Sequence, residues 1–430
     1  CGLFSDIQGA LLSSEKAISD AVLKLIGREE CMVDMEQLRL PTRKGGLGIQ
    51  CLTARNGIVC KAGFLAAASL AQQAMCTACE SFQPFKGESE RTLQQMWHEV
   101  STACTCQGAC TCEHMEAMSL TDALSGGMLP GLQRDMSLRV ADILHDQLLG
   151  RYQARLAGAD TKVAAEQHLA RLHSVQHGVA TAWLNILPTK EQWHIDNDTV
   201  KSALRFMLGL SPGPPSQSYF RCSCGFQGYN CHHAMTCDKM SGVRTLRHNL
   251  IQNSVRYGCS RAGCDTSWEP KEGDMQALQC GDEGYGRRGD ILVSTLEDLL
   301  NVDISVTHPA MQTVRSKASK TPGAAAEERA KAKRRYHEKN GTPGYAFVPF
   351  SVETYGRLGK DADDLLKDLA ERAASTGECD REGFMHWIRK EISLSLIRGN
   401  ARVFRRYLGN LIRGTGTDFQ QGDDTPTLGD

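Results

Sequence analysis

The sequence is poor in long apolar runs, in aromatic residues and in net charge, and each shortage closes off a class of protein. Across 430 residues no apolar run approaches the roughly 18–20 needed to cross a bilayer. The greasiest stretch, Phe64 to Ala71, is short and Ala-rich and has Lys61 just upstream, so no membrane partner is read. No charged n-region opens the chain: Cys1-Gly2-Leu3-Phe4 reaches Ser5-Asp6 at once, so no secretory signal is read. A first residue other than Met is the expectation for a fragment. A net charge of −1 removes the global basic signature of a nucleic-acid binder. Cysteine is what the chain does not lack. Eighteen Cys without a signal peptide point to a reducing, intracellular, non-secreted setting, where clustered thiols are metal ligands before they are disulfides.

Charge is unevenly placed, and that says more than its sum. From Met311 to Tyr336 eight Lys/Arg face two Glu, and from Phe384 to Arg413 seven face one. The tail from Thr415 to Asp430 is acidic. The two stripes give Lys331, Lys333, Arg334 and Arg335 on one predicted helix and Arg402, Arg405 and Arg406 on another. Each set can track phosphates on a nucleic acid.

Residues 1–85 are predicted helical, with Ile18, Val22, Leu25 and Ile26 as an apolar face, broken by Leu40-Pro41 to Gly48-Ile49. An Ala-rich helix is expected from Asn56 to Gln73. Residues 86–130 form a Cys-rich insert, where Cys104, Cys106, Cys110, Cys112 and His114 crowd together as a weaker metal candidate. Residues 131–215 make a helical linker domain with Leu138, Ile143, Leu148 and Leu149 toward its core. Asp198 is the expected cap of a helix that stops at Gly209. Pro212, Pro214 and Pro215 mark a boundary.

Beyond that boundary, residues 216–240 carry a knuckle. Zinc needs four soft or borderline donors closing a tetrahedron, and Cys222, Cys224, His233 and Cys237 supply a Cys3His set around a Gly-bearing turn. Cys231 and His232 are spare donors that leave the assignment open. Residues 241–375 begin with an amphipathic helix at Leu246 to Ile251, continued by Val255. Strands are predicted after Arg287-Arg288-Gly289 and from Asn301, joined by a turn at Glu297-Asp298. In the second strand Val302, Ile304 and Val306 alternate with Asp303, Ser305 and Thr307. A hairpin brings Asp290 and Asp303 to one end of a sheet. Two carboxylates and a Lys are what a metal-dependent phosphodiesterase needs: the acids hold Mg²⁺, and the cation helps orient water. A strand from Ala346 to Val352 and a helix capped at Asp361 complete this segment. Residues 376–430 add a basic helix and the acidic tail.

These residues carry a resemblance. A Cys/His knuckle, an Arg247-His248-Asn249 helix, Asp290, twelve residues, Asp303 and a Lys/Tyr helix ending at Tyr336 follow one another. The order resembles the C-terminal end of non-LTR retrotransposon reverse transcriptase/endonuclease proteins with a restriction-like nuclease of the PD-(D/E)xK kind. Leu40-Pro41 to Gly48-Ile49 resembles their thumb segment, and Trp183-Leu184 to Leu208-Gly209-Leu210 the linker before the knuckle. The resemblance implies an α+β multidomain chain: a helical, thumb-like N-terminal half, a short zinc knuckle and a PD-(D/E)xK restriction-like α/β nuclease core. It implies a Mg²⁺- and Zn²⁺-dependent DNA endonuclease that nicks target DNA, with element RNA as a further partner and a nuclear location. Asp290 and Asp303 take the metal-ligand positions. Lys333 takes the catalytic Lys, with Lys331 as alternate, and Arg247 and His248 match the opening motif. The family has Pro before the first Asp where this chain has Gly289, which fixes the backbone less and lowers the expected activity. The alternative reading is a decayed or domesticated zinc-containing nucleic-acid-binding module.

Overall fold

The computed structural model describes residues 13, 16–27, 35–49, a few positions between 91 and 98, 132–211, 221–227, 230–268, 290–295, 299–340, 346–377 and 379–418. The Ala-rich helix, the Cys-rich insert, the Pro212–Pro215 stretch, Gly289, the Glu297-Asp298 turn and the acidic tail beyond 418 lie outside them. The chain divides into two compact units, Cys1–Lys24 with Met35–Pro41 and Gly46–Leu148, and Leu25–Asp34 with Thr42–Gly45 and Leu149–Asp430. Fold class is mixed α+β, mostly helical, with one four-stranded sheet. Among the described residues no helix is long and apolar enough to cross a membrane.

The first unit holds a short helix, Met35–Arg39, that stops before Pro41. The Gly-rich segment then folds back, with the Gly48 N–H donating to the Leu40 carbonyl at 2.8 Å. In the helix at residues 16–26 the buried residues are Leu23 and Ile26, whereas Ile18 and Leu25 are nearly half exposed. The predicted face is therefore off by part of a turn. Ile143 is likewise exposed, with Leu144 buried instead, whereas Leu148 is buried as expected. A run with apolar residues on more than one side gives no unique face, and packing chooses.

In the second unit, helix α1 (Ala159–Val175) buries Leu169, Leu172 and Val175. Helix α2 (Asn197–Met207) is capped by Asp196, not Asp198: the Asp196 carboxylate accepts the Thr199 N–H at 2.9 Å and the Thr199 hydroxyl at 2.7 Å. Starting two residues earlier than expected places Asp198 inside the first turn, still favourable to the helix dipole. The helix ends as predicted, with Gly209 at φ 75°.

Next come the short helix α3 (Cys231–Thr236) and the long helix α4 (Ser241–Arg261). The sheet follows in spatial order β1 (Asp265–Trp268), β2 (Ile291–Ser294), β3 (Leu299–Thr307), β4 (Ala346–Glu353). The first three are antiparallel neighbours, with Ile291 opposite Val302, so the predicted hairpin is present. β4 joins β3 in parallel, with Asp303 opposite Pro349. Parallel pairing needs a crossover, and helix α5 (Ala324–Asn340) provides it. β4 is an edge strand, where a Pro is tolerated.

Helices α6 (Lys360–Ser375) and α7 (Arg381–Asp418) close the fold. Asp361 is not the cap of α6: Gly359 holds that position, and the Lys360 N–H is taken by the Glu327 carboxylate of α5 at 2.6 Å. One core joins α4, α6 and α7 to the sheet through Ile251, Val255, Val302, Phe350, Leu366 and Ile388. α7 is thus a core helix packed along α4. With Val302 and Ile304 committed to this core, the pleat turns Asp303 toward the opposite face.

Candidate functional site

The hairpin does what its spacing requires. Asp290 sits one residue before β2 and is pinned by its backbone: its N–H donates to the Val302 carbonyl at 2.9 Å, and its carbonyl accepts from Gln252 Nε2 at 2.7 Å. Its Oδ2 accepts the Ile304 N–H at 2.6 Å, and its Oδ1 lies 3.2 Å from His248 Nε2. Asp303, mid-strand in β3, binds Lys333 Nζ at 2.6 Å through Oδ2 and 2.9 Å through Oδ1. Asp290, Asp303, His248 and Lys333 all line one cleft of about 810 Å³ between α4, β3 and α5.

The electrostatics divide the two acids. Desolvation works to raise the Asp290 pKa, but the hydrogen bond and charge of His248 and the Ile304 N–H outweigh it, leaving it below the usual carboxylate range. Burial raises Asp303, Lys333 pulls it back, and the neighbouring Asp290 charge pushes it up again, leaving it above that range. Two half-buried carboxylates that perturb each other are held apart in cost by one cation and one imidazole. A hard divalent cation relieves such a pair directly, so the donor set suits Mg²⁺.

Arg247, assigned with His248 from the sequence, lines the same cleft, with its guanidinium tied into the fold. It is 3% exposed, its Nη1 donates to Asn400 Oδ1 at 2.9 Å, and its stem packs where Gly399 leaves room. Burial, then the neighbouring Arg244, lowers its pKa to about 9. Its guanidinium joins α4 to α7, and His248 meets the carboxylate. Adjacent helical residues point about 100° apart, so from the wall of one cleft the two side chains reach different partners.

On α5 the cleft is lined at Arg329, Lys333, Tyr336 and His337, spaced as one helical face. Lys333 therefore lies in the cleft and Lys331 does not line it. Lys331 is 3.7 Å from Glu328, and Arg334 is paired with Asp361 of α6. Arg335 is exposed outside the lining. On α7, Arg402, Arg405 and Arg406 are exposed on the face opposite buried Val403, Phe404 and Tyr407, but Arg405 already binds Thr199 Oγ1 at 2.8 Å. The sequence reading passed over Arg244, Gln252 and Arg329. Arg244 and Arg329 stand four residues before His248 and Lys333, a spacing that could have flagged them.

The knuckle assembles its four predicted donors. One ligand atom from each of Cys222, Cys224, His233 and Cys237 lies within 4.8 Å of all the others. Cys222 and Cys237 Sγ are 3.7 Å apart, and Cys224 Sγ is 3.2 Å from His233 Nε2. A tight turn makes this: the Gly225 N–H donates to the Cys222 carbonyl and the Cys222 N–H to Phe226, with Gly225 at φ 94°. Asn230 caps α3 by accepting the His232 and His233 N–H groups. Three thiols and one imidazole converging this closely fit a tetrahedral zinc site. The spare donors fall away from it. His232 turns to His308, 3.0 Å apart, and burial pushes the Cys231 thiol up to about 12.

No protein-family model matches this chain. It is similar to the retrotransposable element SLACS 132 kDa protein of Trypanosoma brucei gambiense, 28% identical over 197 residues. The likeness supports a retrotransposon origin. It covers 43% of this chain and 15% of that protein's length, and it supports a retroelement-associated role.

Proposed function

We propose that the second unit carries a divalent-metal-dependent DNA endonuclease of a retroelement protein, nicking target DNA, and a structural zinc knuckle within the same unit. The observation that carries this reading is the convergence of His248, Asp290, Asp303 and Lys333 in one open cleft. Asp290 and Asp303 would hold Mg²⁺, which when bound activates water and neutralises charge on the phosphate. His248 keeps Asp290 ionised, and the Ile304 N–H fixes its carboxylate. Lys333 neutralises Asp303 while no cation is bound and is close enough to orient a water beside it. Cys222, Cys224, His233 and Cys237 would hold Zn²⁺, which supplies structure and no step. Lys331, Arg334 and Arg335, the second of them half-buried and paired with Asp361, and the exposed Arg402, Arg405 and Arg406 belong to the same reading as outer phosphate contacts. Element RNA is the second proposed partner and the nucleus the proposed location.

The test is a Mg²⁺-dependent plasmid-nicking assay on the full chain with Asp303→Ala alongside. Nicking by the parent should fall by at least about a hundredfold in the variant, since removal of a metal-holding carboxylate forfeits several kcal/mol of charge stabilisation. DNA binding without nicking in the parent would leave the alternative, a nucleic-acid-binding module.

A further inference from the structure

The two helices that wall the cleft share a pattern. Each presents one side chain to an aspartate, His248 from α4 and Lys333 from α5, and each places an Arg one turn earlier on the same face. Arg329 is exposed, lines the cleft and has no acidic partner among the described residues. Arg244 is held more firmly: its Nη1 donates to the Thr236 carbonyl at 2.9 Å, and its Nη2 is 3.5 Å from the fully exposed Asp238. A guanidinium carries five N–H donors, so both keep donors for an anion.

The centre of the cleft is acidic and repels phosphate by itself. Any polyanion brought to Asp290 and Asp303 needs cations beside them, and Lys333 is already engaged by Asp303. One helical turn advances about 5.4 Å, comparable with one to two nucleotide rises of about 3.4 Å. We propose that Arg244 and Arg329 grip backbone phosphates neighbouring the one lying at the carboxylates. The cleft thus takes a nucleic-acid strand that continues past the reacting position, not a mononucleotide. This rests on the nuclease reading for what happens at the carboxylates, but the grip itself is measured separately. Sequence preference from these contacts is slight, because phosphate contacts position a strand without reading bases.

The experiment is binding of the full chain to a short duplex of arbitrary sequence, without Mg²⁺, across a salt titration. Arg329→Ala and Arg244→Gln are compared with the parent, and the exposed Lys162→Ala is the control. Gln at 244 keeps a donor for the Thr236 carbonyl while removing the charge, so folding is preserved. Each Arg variant should bind about tenfold more weakly and flatten the log-affinity against log-salt slope by about one. Lys162→Ala should change neither, and a mononucleotide should not displace the duplex. Parent-like affinity and slope in both Arg variants would overturn the proposal, even if Mg²⁺-dependent nicking that requires Asp303 is present. Weakened, flattened binding in a parent that never nicks would sustain the grip and remove the nuclease.

Discussion

His177 illustrates how far one side chain can set the behaviour of this fold at mild acidity. Its Nδ1 accepts the Val179 N–H at 3.3 Å, and its ring is closed in beside Arg357, Asp363 and Arg389. Burial first, then the Arg357 charge, lowers its pKa from 6.5 to about 4. Burial holds His308 well below 6.5 as well. A histidine depressed in the folded state contributes stability that is present above its unfolded pKa and lost as pH falls through the folded value. The window is therefore roughly 6.5 down to 4. At pH 5, His177 alone should cost roughly 1–2 kcal/mol relative to pH 7. Urea midpoints at the two pH values measure it, and His177→Asn, which keeps a cap acceptor, should shrink the difference. An unchanged pH dependence in that variant would show that His177 is not the group that titrates. At this scale the sequence told which residue types mattered and erred on neighbours. It read Asp198 where Asp196 caps, and it gave no sign that Arg247, beside His248, is held by Asn400 of α7. One position along a helix turns a side chain by about 100°, and composition alone does not fix the zero of that rotation.

Among the elements, α5 is the one whose placement the chemistry depends on, because it carries Lys333 and Arg329. Its first turn is docked on Glu353, the last residue of β4. The Glu353 carboxylate is 1% exposed and accepts the Ala325 and Ala326 N–H groups at 3.1 and 3.3 Å. Those N–H groups have no partner inside the helix, and a buried carboxylate there meets the positive end of the dipole. Glu353→Ala should cost about 1–2 kcal/mol and lower the Tm by about 2–4 °C. It should also reduce nicking by loosening Lys333. Glu353→Gln keeps an acceptor oxygen and should lose less of both; equal losses in the two variants would refute the capping role. Legibility at this scale follows strand length and regularity. β3 was readable because Val302, Ile304 and Val306 alternate over a nine-residue strand. β1 was not: Asp265-Thr266-Ser267-Trp268 has neither length nor alternation, and it exists because β2 offers an edge. The role of Glu353 was equally hidden, since its partners lie 27 and 28 residues earlier in the chain.

For the molecule as a whole, the knuckle is built into the second unit, not hung from it, so metal loss should reach beyond residues 222–237. Its helix α3 packs on α7, with the His233 ring edge-on to the fully buried Tyr407 at 5.7 Å and Met235 and Met240 buried beneath. His232 reaches His308 at the end of β3, and His308 in turn meets Thr354 Oγ1 at 2.7 Å. Within the turn itself little apolar surface is available: Cys224 is exposed and Phe226 is more than a third exposed, stacked on His233 at 4.1 Å. Four ligands must then supply what a hydrophobic core does not, and a structural zinc site contributes roughly 10–16 kcal/mol in isolated peptides, part of it spent here on ordering the turn. The purified chain should contain one zinc per molecule, and Cys224→Ser should lose most of it. A zinc chelator should lower the Tm by several degrees, and added Mg²⁺ should not restore it, because thiolates and imidazole favour the softer ion. The dependence should be steepest on the α7 side, read as faster amide exchange around Val403, Phe404 and Tyr407. Full zinc content in Cys224→Ser, or a chelated protein with unchanged Tm and unchanged exchange along α7, would show that the four donors converge without holding a metal.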